Sequence, residues 1–192
     1  FSVLVKVIAS QIGQLVNRAE LSSTLGLSQK TVEKYIYLLE KTFVITTIKP
    51  FFTNVRKEVR KSPKVYFNYL GFLNLAQGRL PETPESVSGH AFENACFLRL
   101  GELKSLEPIR YWRSTSGAEV DFVLTSPRHG GPVPVEVKLS PGKIGSLGKS
   151  LISFLKCYKP KLAFIFNRDQ KAKLEKLGSS VEYLPYYNLP RI

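Results

Sequence analysis

A chain of 192 residues with 43% hydrophobic side chains can bury one large core or two small ones. It contains no run of eighteen apolar residues and no charged-then-apolar leader, so neither a membrane span nor a secretory signal is indicated, and the sequence reads as cytoplasmic. A net charge of +13, with 12 basic against 4 acidic side chains in residues 1–80, favours polyanionic partners through counterion release.

In chain order, Phe1, Leu4, Ile8, Ile12 and Leu15 recur at helical spacing and predict a helix over 1–16. The chain opens within that helix and holds no Met, which reads as a fragment of a longer protein. Asn17 caps a second helix to Leu25, stopped by Gly26, and Ser28 caps a third through about Thr42, with Val32, Ile36 and Leu39 inward. Two helices joined by a glycine turn form a helix-turn-helix pattern. Strand-like runs at 43–48 and 64–69 flank a basic loop, so residues 1–80 are expected to form a winged helix-turn-helix domain. Gln29, Lys30, Thr31 and Lys34, at the start of the third helix, are candidates for reading a DNA groove, with Arg56, Lys57, Arg60 and Lys61 on phosphates. The same fold also serves protein docking, and a basic loop is often only solvated.

Residues 69–75 predict a short helix packing on both halves, and the proline-bearing stretch 78–88 reads as the linker. The second domain, 81–192, opens with a helix from about Ser88 carrying Phe92, Cys96, Phe97, Leu100 and Leu103 inward, and Glu93 stands at the margin of that stripe. Ile109 to Arg113 predict a strand with Trp112 in the core. Cys96 and Cys157, without zinc-spaced partners, read as buried free thiols.

The densest pattern follows. In Glu119 to Leu124 the apolar Val120, Phe122 and Leu124 share a face opposite Glu119 and Asp121; in Val133 to Leu139 the alternation leaves Glu136 and Lys138 opposite the valines. If the apolar faces pack together, Asp121, Glu136 and Lys138 converge, a set able to hold a divalent metal and aim water at a phosphodiester. A solvated strand face carrying a Lys138–carboxylate ion pair has the same pattern. A helix over 145–158, a strand over 162–166, a short exposed helix over 171–177 and a strand over 181–184 complete a mixed α/β sheet. The stretch Gly142 to Ser150 ends in Gly-Lys-Ser, but Gly142 leaves five residues instead of four before it, which misplaces the donors of a phosphate loop. Lys143 and Lys149 there face a phosphate backbone or solvent.

At Glu93, Asp121 and Glu136-Val137-Lys138 the sequence resembles the PD-(D/E)XK nuclease-like superfamily. The resemblance implies a restriction-endonuclease-like α/β domain with Mg²⁺ on Asp121, Glu136 and Glu93 and with Lys138 catalytic. The winged-helix segment, the run Lys64 to Gly71, Gly89 to Asn94, Tyr111 to Arg113 and the two motif strands together resemble the C-terminal region of a family of archaeal and bacterial AAA+ ATPases. That resemblance covers nearly the whole chain and implies an upstream ATPase module as partner. Asn68 stands where that family often has Asp, which would remove a polar contact at the domain junction. The expected function is DNA binding with metal-dependent phosphodiester hydrolysis, or else regulatory docking on a protein; self-association into a homo-oligomer is compatible with either.

Overall fold

A computed structural model describes residues 1–51, 62–79, 83, 86–103, 108–126, 130–140 and 142–190. The first helix, α1 (Ser2–Ser10), buries Leu4, Val5, Ile8 and Ala9. It stops well short of the expected residue 16. Gly13 takes φ +70° and gives its N–H to the Val65 carbonyl at 2.9 Å, so the chain leaves the helix to pair with a strand. Ile12 and Val16 stay buried outside the helix, which is why the apolar pattern ran on past it.

Helices α2 (Arg18–Leu25) and α3 (Gln29–Lys41) begin where capping chemistry places them. Asn17 Oδ1 accepts from Glu20 N at 3.2 Å and Ser28 Oγ from Thr31 N at 3.1 Å, satisfying first-turn donors. Gly26, at φ 62°, makes the turn between them. Strands β1 (Ile45–Ile48) and β2 (Lys64–Phe67) pair antiparallel, Ile45 opposite Phe67. β1 starts two residues later than expected because Phe43 adopts φ 56°, incompatible with a strand. The basic run between the strands, with Arg56, Lys57, Arg60 and Lys61, lies outside the described residues, as do 80–82, 84 and 85 of the linker. Helix α4 (Leu70–Gln77) follows.

Beyond the linker, α5 (Gly89–Gly101) precedes a six-stranded mixed sheet. Its strands are β3 (Arg110–Arg113), β4 (Glu119–Ser126), β5 (Gly131–Val137), β6 (Leu162–Asn167), β7 (Ala172–Lys176) and β8 (Ser179–Pro185), in spatial order β3-β4-β5-β6-β8-β7. β5, β6 and β8 run parallel, and the other neighbours are antiparallel. One sheet face packs Phe122, Leu124, Val133, Val135, Phe164 and Phe166 with Phe92, Cys96 and Phe97 of α5. The other face meets α6 (Lys149–Tyr158) through Leu151, Phe154 and Leu155. The described residues thus form a mixed α/β structure with two sheets.

The expected helix over 171–177 is the edge strand β7. Ala172 and Leu174 alternate with exposed Lys173 and Glu175, and Leu177 and Gly178, both at positive φ, make a two-residue hairpin into β8. A leucine at that turn hides the signal, because Asn-Gly is the usual pair. α6 begins four residues later than expected, and Ser150 Oγ in its first turn accepts from Glu119 N at 3.1 Å. Trp112 is core, edge-on to Phe154 and bonded through Nε1 to Tyr158 Oη at 3.2 Å. Of the two thiols Cys96 is buried as expected, but Cys157 is exposed.

β2 joins the two halves. Val65 and Phe67 enter the first core, while Tyr66, on the opposite face, enters the second and stacks on Phe97 with centroids 4.7 Å apart. Asn94 of α5 holds the Phe67 backbone with both side-chain atoms, accepting from its N–H at 2.7 Å and donating to its carbonyl at 2.8 Å. Asn68 makes its contacts inside the first half, to Thr46 Oγ1 and the Phe43 carbonyl, and not at the junction.

Candidate carboxylate site at the junction of the halves

A β-bulge builds the site. Arg110 pairs with Val123 but Trp112 pairs with Val120, so β4 has one residue too many against β3 between these positions. The bulge breaks the expected parity. Val120 lies with Val123 and Trp112 on the α6 side, while Phe122 and Leu124 lie on the α5 side. The β4–β5 ladder ends at Phe122–Val135, and Asp121 Oδ2 takes the Val137 N–H at 2.7 Å in place of a backbone carbonyl. Asp121 is thereby fixed at the point where the two strands part.

Glu136 lies on the α6 side and is 5% exposed. Its Oε1 meets Lys138 Nζ at 3.0 Å, and its buried Oε2 has no hydrogen-bond partner among the described residues. Gly148, the N-cap of α6, lies so close that a Cβ there would sit 2.8 Å from Glu136 Oε1. The carboxylate therefore has room only because position 148 lacks a side chain.

Glu93 is 9% exposed and approaches from α5. Its Oε1 accepts from Tyr66 Oη at 2.6 Å and lies 3.6 Å from Lys64 Nζ, and its Oε2 is 3.8 Å from His90 Nδ1. Lys64 itself is 1% exposed, with Nζ 2.5 Å from Glu119 Oε1 and over the Tyr111 ring at 5.7 Å. Arg113 reaches the other oxygen of Glu119 at 3.5 Å. Four carboxylates thus gather around the buried Lys64 and the half-exposed Lys138, with His90 and Arg113 at the rim.

The charges tune one another. Burial, followed by the charge of Glu93, pushes the Asp121 carboxyl up to about 7, against the opposing pull of Lys64 and the Val137 N–H. Glu93 moves the other way: burial raises it, but His90, Lys64 and the Tyr66 hydroxyl outweigh burial and hold it below the usual range. Burial works against the Lys64 ammonium, yet Glu93, Asp121 and Glu119 raise its pKa. Lys138 is likewise raised, with Glu136 outweighing burial. The hydrogen bond to Glu93 raises His90 despite burial.

Asp121, Glu136 and Lys138 accordingly come to one strand end, whereas Glu93 is committed to Lys64, Tyr66 and His90. Among the described residues no three His, Cys, Asp or Glu side chains converge on one metal position. The spacing of the motif gave no sign of Lys64, Tyr66, Glu119, His90 or Gly148. One signal was legible: Lys64 shares the parity of Tyr66 in a strand buried at every position, where a lysine demands an anionic partner. Of the DNA-contact candidates, Gln29, Lys30 and Lys34 are exposed on α3; Thr31 is half-buried, its hydroxyl 2.8 Å from that of Ser28. No helix among the described residues is long and apolar enough to cross a membrane.

Residues 88–189 match the family described as Domain of unknown function (DUF4143), and residues 1–83 match Domain of unknown function (DUF8612). The first of these matches covers more than half of the chain, which belongs to the DUF4143 family. The chain is similar to an uncharacterized protein of Mycobacterium bovis, Mb2031c, and to one of Mycobacterium tuberculosis, Rv2008c. Each is 32% identical over 129 residues, spanning 66% of this chain and 29% of the relative. No solved structure matches.

Proposed function

We propose that this chain is the nucleic-acid-handling region of an ATPase-linked protein, a winged helix followed by a PD-(D/E)XK-like domain that hydrolyses phosphodiesters with a divalent cation. The observation that carries the proposal is Glu136, a carboxylate 5% exposed with one oxygen lacking a hydrogen-bond partner among the described residues, beside Asp121 raised to about 7. A buried Glu136 beside a half-buried Asp121 that resists ionisation points to a positive charge that arrives from outside. Mg²⁺ is commonly held by one or two carboxylates with water filling its remaining positions, so Asp121 and Glu136 suffice as protein ligands. The bound ion would polarise the phosphate and acidify a water.

The chain's own groups supply the rest. Lys138, half exposed and held by Glu136, is placed to stabilise the charge that grows on the phosphate or to orient the attacking water. Asp121 stays aimed because the Val137 N–H grips it. The exposed Gln29, Lys30 and Lys34 offer a groove-reading face, and the charge of +13 supplies attraction along the backbone.

Supercoiled and branched DNA incubated with Mg²⁺ or Mn²⁺ tests this. Metal-dependent nicking is expected from the native protein and lost in both Asp121→Ala and Lys138→Ala. Salt-sensitive binding without nicking would reduce the site to a vestige. A second reading, docking on a protein, draws on the first half, where Phe43 is 74%, Leu75 73% and Tyr69 67% exposed. Absence of both nicking and DNA binding would favour it.

A further inference from the structure

We propose that Lys64 is a built-in cation that keeps the carboxylate cluster closed to divalent metal, and that metal enters only when β2 withdraws it. This rests on the reading of Asp121 and Glu136 as a cation site.

The ammonium is supplied by the first half, yet its ion-pair partners, Glu119 and Glu93, belong to the second. Packing alone gives no reason for a lysine at this position. Buried ion pairs can be replaced by apolar side chains of similar size without loss of stability, and the contacts of this ammonium are with Glu119, Glu93 and the Tyr111 ring. Lys64 and Tyr66 also hold Glu93. Glu93 Oε1 is divided between Lys64 and the Tyr66 hydroxyl, both carried by β2. Withdrawing β2 would release Glu93 toward Asp121 and Glu136 and remove the positive charge that a divalent ion must otherwise approach.

The position of Lys64 is set by contacts spread over both halves. Gly13 N donates to the Val65 carbonyl, Val16 N to the Pro63 carbonyl and Tyr111 Oη to the Ser62 carbonyl, while Asn94 clamps Phe67. A load on the first half, from bound nucleic acid or from an attached module, would therefore be felt at the carboxylates. That converts the strand shared by the two halves into the device that loads the site.

Mn²⁺ titration by calorimetry and by its paramagnetic resonance signal decides the matter without reference to activity. Native protein, Lys64→Met, Lys64→Gln and Lys64→Met/Asp121→Asn are compared, with thermal melts to confirm folding. Lys64→Met is expected to bind Mn²⁺ at least tenfold more tightly than native protein, and the double variant to lose that binding. Lys64→Gln also removes the ammonium while keeping a donor for Glu119, and is expected to tighten binding as well; it carries the test if Lys64→Met does not fold. Equal affinity in native protein and the folded variants, lost on Asp121→Asn, would overturn the role of Lys64 while leaving the metal site standing. No saturable Mn²⁺ binding in any of them would overturn the cation site itself, and this inference with it.

Discussion

Replacing Asp121 by asparagine removes one negative charge from the cluster while keeping an acceptor for the Val137 N–H. In the folded protein the Asp121 carboxyl is pushed up to about 7, by burial first and by Glu93 next. In an unfolded chain it titrates at about 3.9. The folded pKa is the higher of the two, so the folded state holds an extra proton between these values. The resulting stability is full below the unfolded pKa and is lost as the pH rises through 7. At about 1.36 kcal/mol per pH unit for one proton, the interval from pH 5 to the folded pKa costs the native protein about 2.7 kcal/mol. Asp121→Asn has no such loss from this position. His90, also raised, adds a slope of the same sign, but it does so in both proteins and largely cancels on subtraction. Urea unfolding at pH 5, 6, 7 and 8 should show the stability of the variant relative to native protein rising by about 2–3 kcal/mol between pH 5 and pH 8. Parallel stability curves across this range would refute a proton held on Asp121.

Three further substitutions test the packing around the acids. Gly148→Ala brings a Cβ within 2.8 Å of Glu136 Oε1; it should cost about 1–3 kcal/mol in chemical denaturation, and less when Glu136 is also alanine. Gly13→Ala meets two obstacles, the left-handed φ of +70° and Glu93 Oε1 at 3.0 Å, and should lower stability by about 1–3 kcal/mol in the same assay. Asn94→Ala leaves the buried Phe67 N–H and carbonyl without their side-chain partners, with an expected loss of about 2–4 kcal/mol and a lower denaturant midpoint.

The parts of the fold legible in the sequence were those fixed by short-range chemistry. Asn17, Gly26 and Ser28 set helix ends through their own backbone and side-chain bonds, and the structure has the helix ends where those residues stand. The alternation of β5 put Glu136 opposite the valines, and its side chain is indeed on the face away from Val133 and Val135. What escaped reading depended on partners distant in sequence. The first helix stops at Ser10, and the chain turns away at Gly13, where Val65, fifty-two positions on, takes its N–H. The bulge at Asp121 is a property of β4 against β3, and no local pattern announces a lost parity. β7 leads into the hairpin that Leu177 and Gly178 turn, with a residue in the first turn position that rarely adopts positive φ. In the site, Asp121, Glu136, Lys138 and Glu93 were all visible as acids or bases in a spaced motif. Their partition was not, because it is Lys64 and Tyr66 from the other half that hold Glu93.

The family matches part at residues 83 and 88, yet the physical boundary is not there. Ile48 and Tyr66 belong to the same apolar cluster as Phe97 and Phe122, and Pro50 bridges Tyr111 of the sheet. Removing the first half would therefore expose apolar surface on α5 and strip the carboxylates of Lys64 at the same stroke. Glu93, Glu119 and Asp121 would then face one another with the half-exposed Lys138 as the remaining ammonium, and like charges in a poorly solvated site resist ionisation together. An isolated second half would have to take up protons, bind a cation or loosen around α5. The two halves are thus bound by charge as well as by packing. A change in how β2 sits on the sheet is, electrostatically, a change in what the carboxylates can accept.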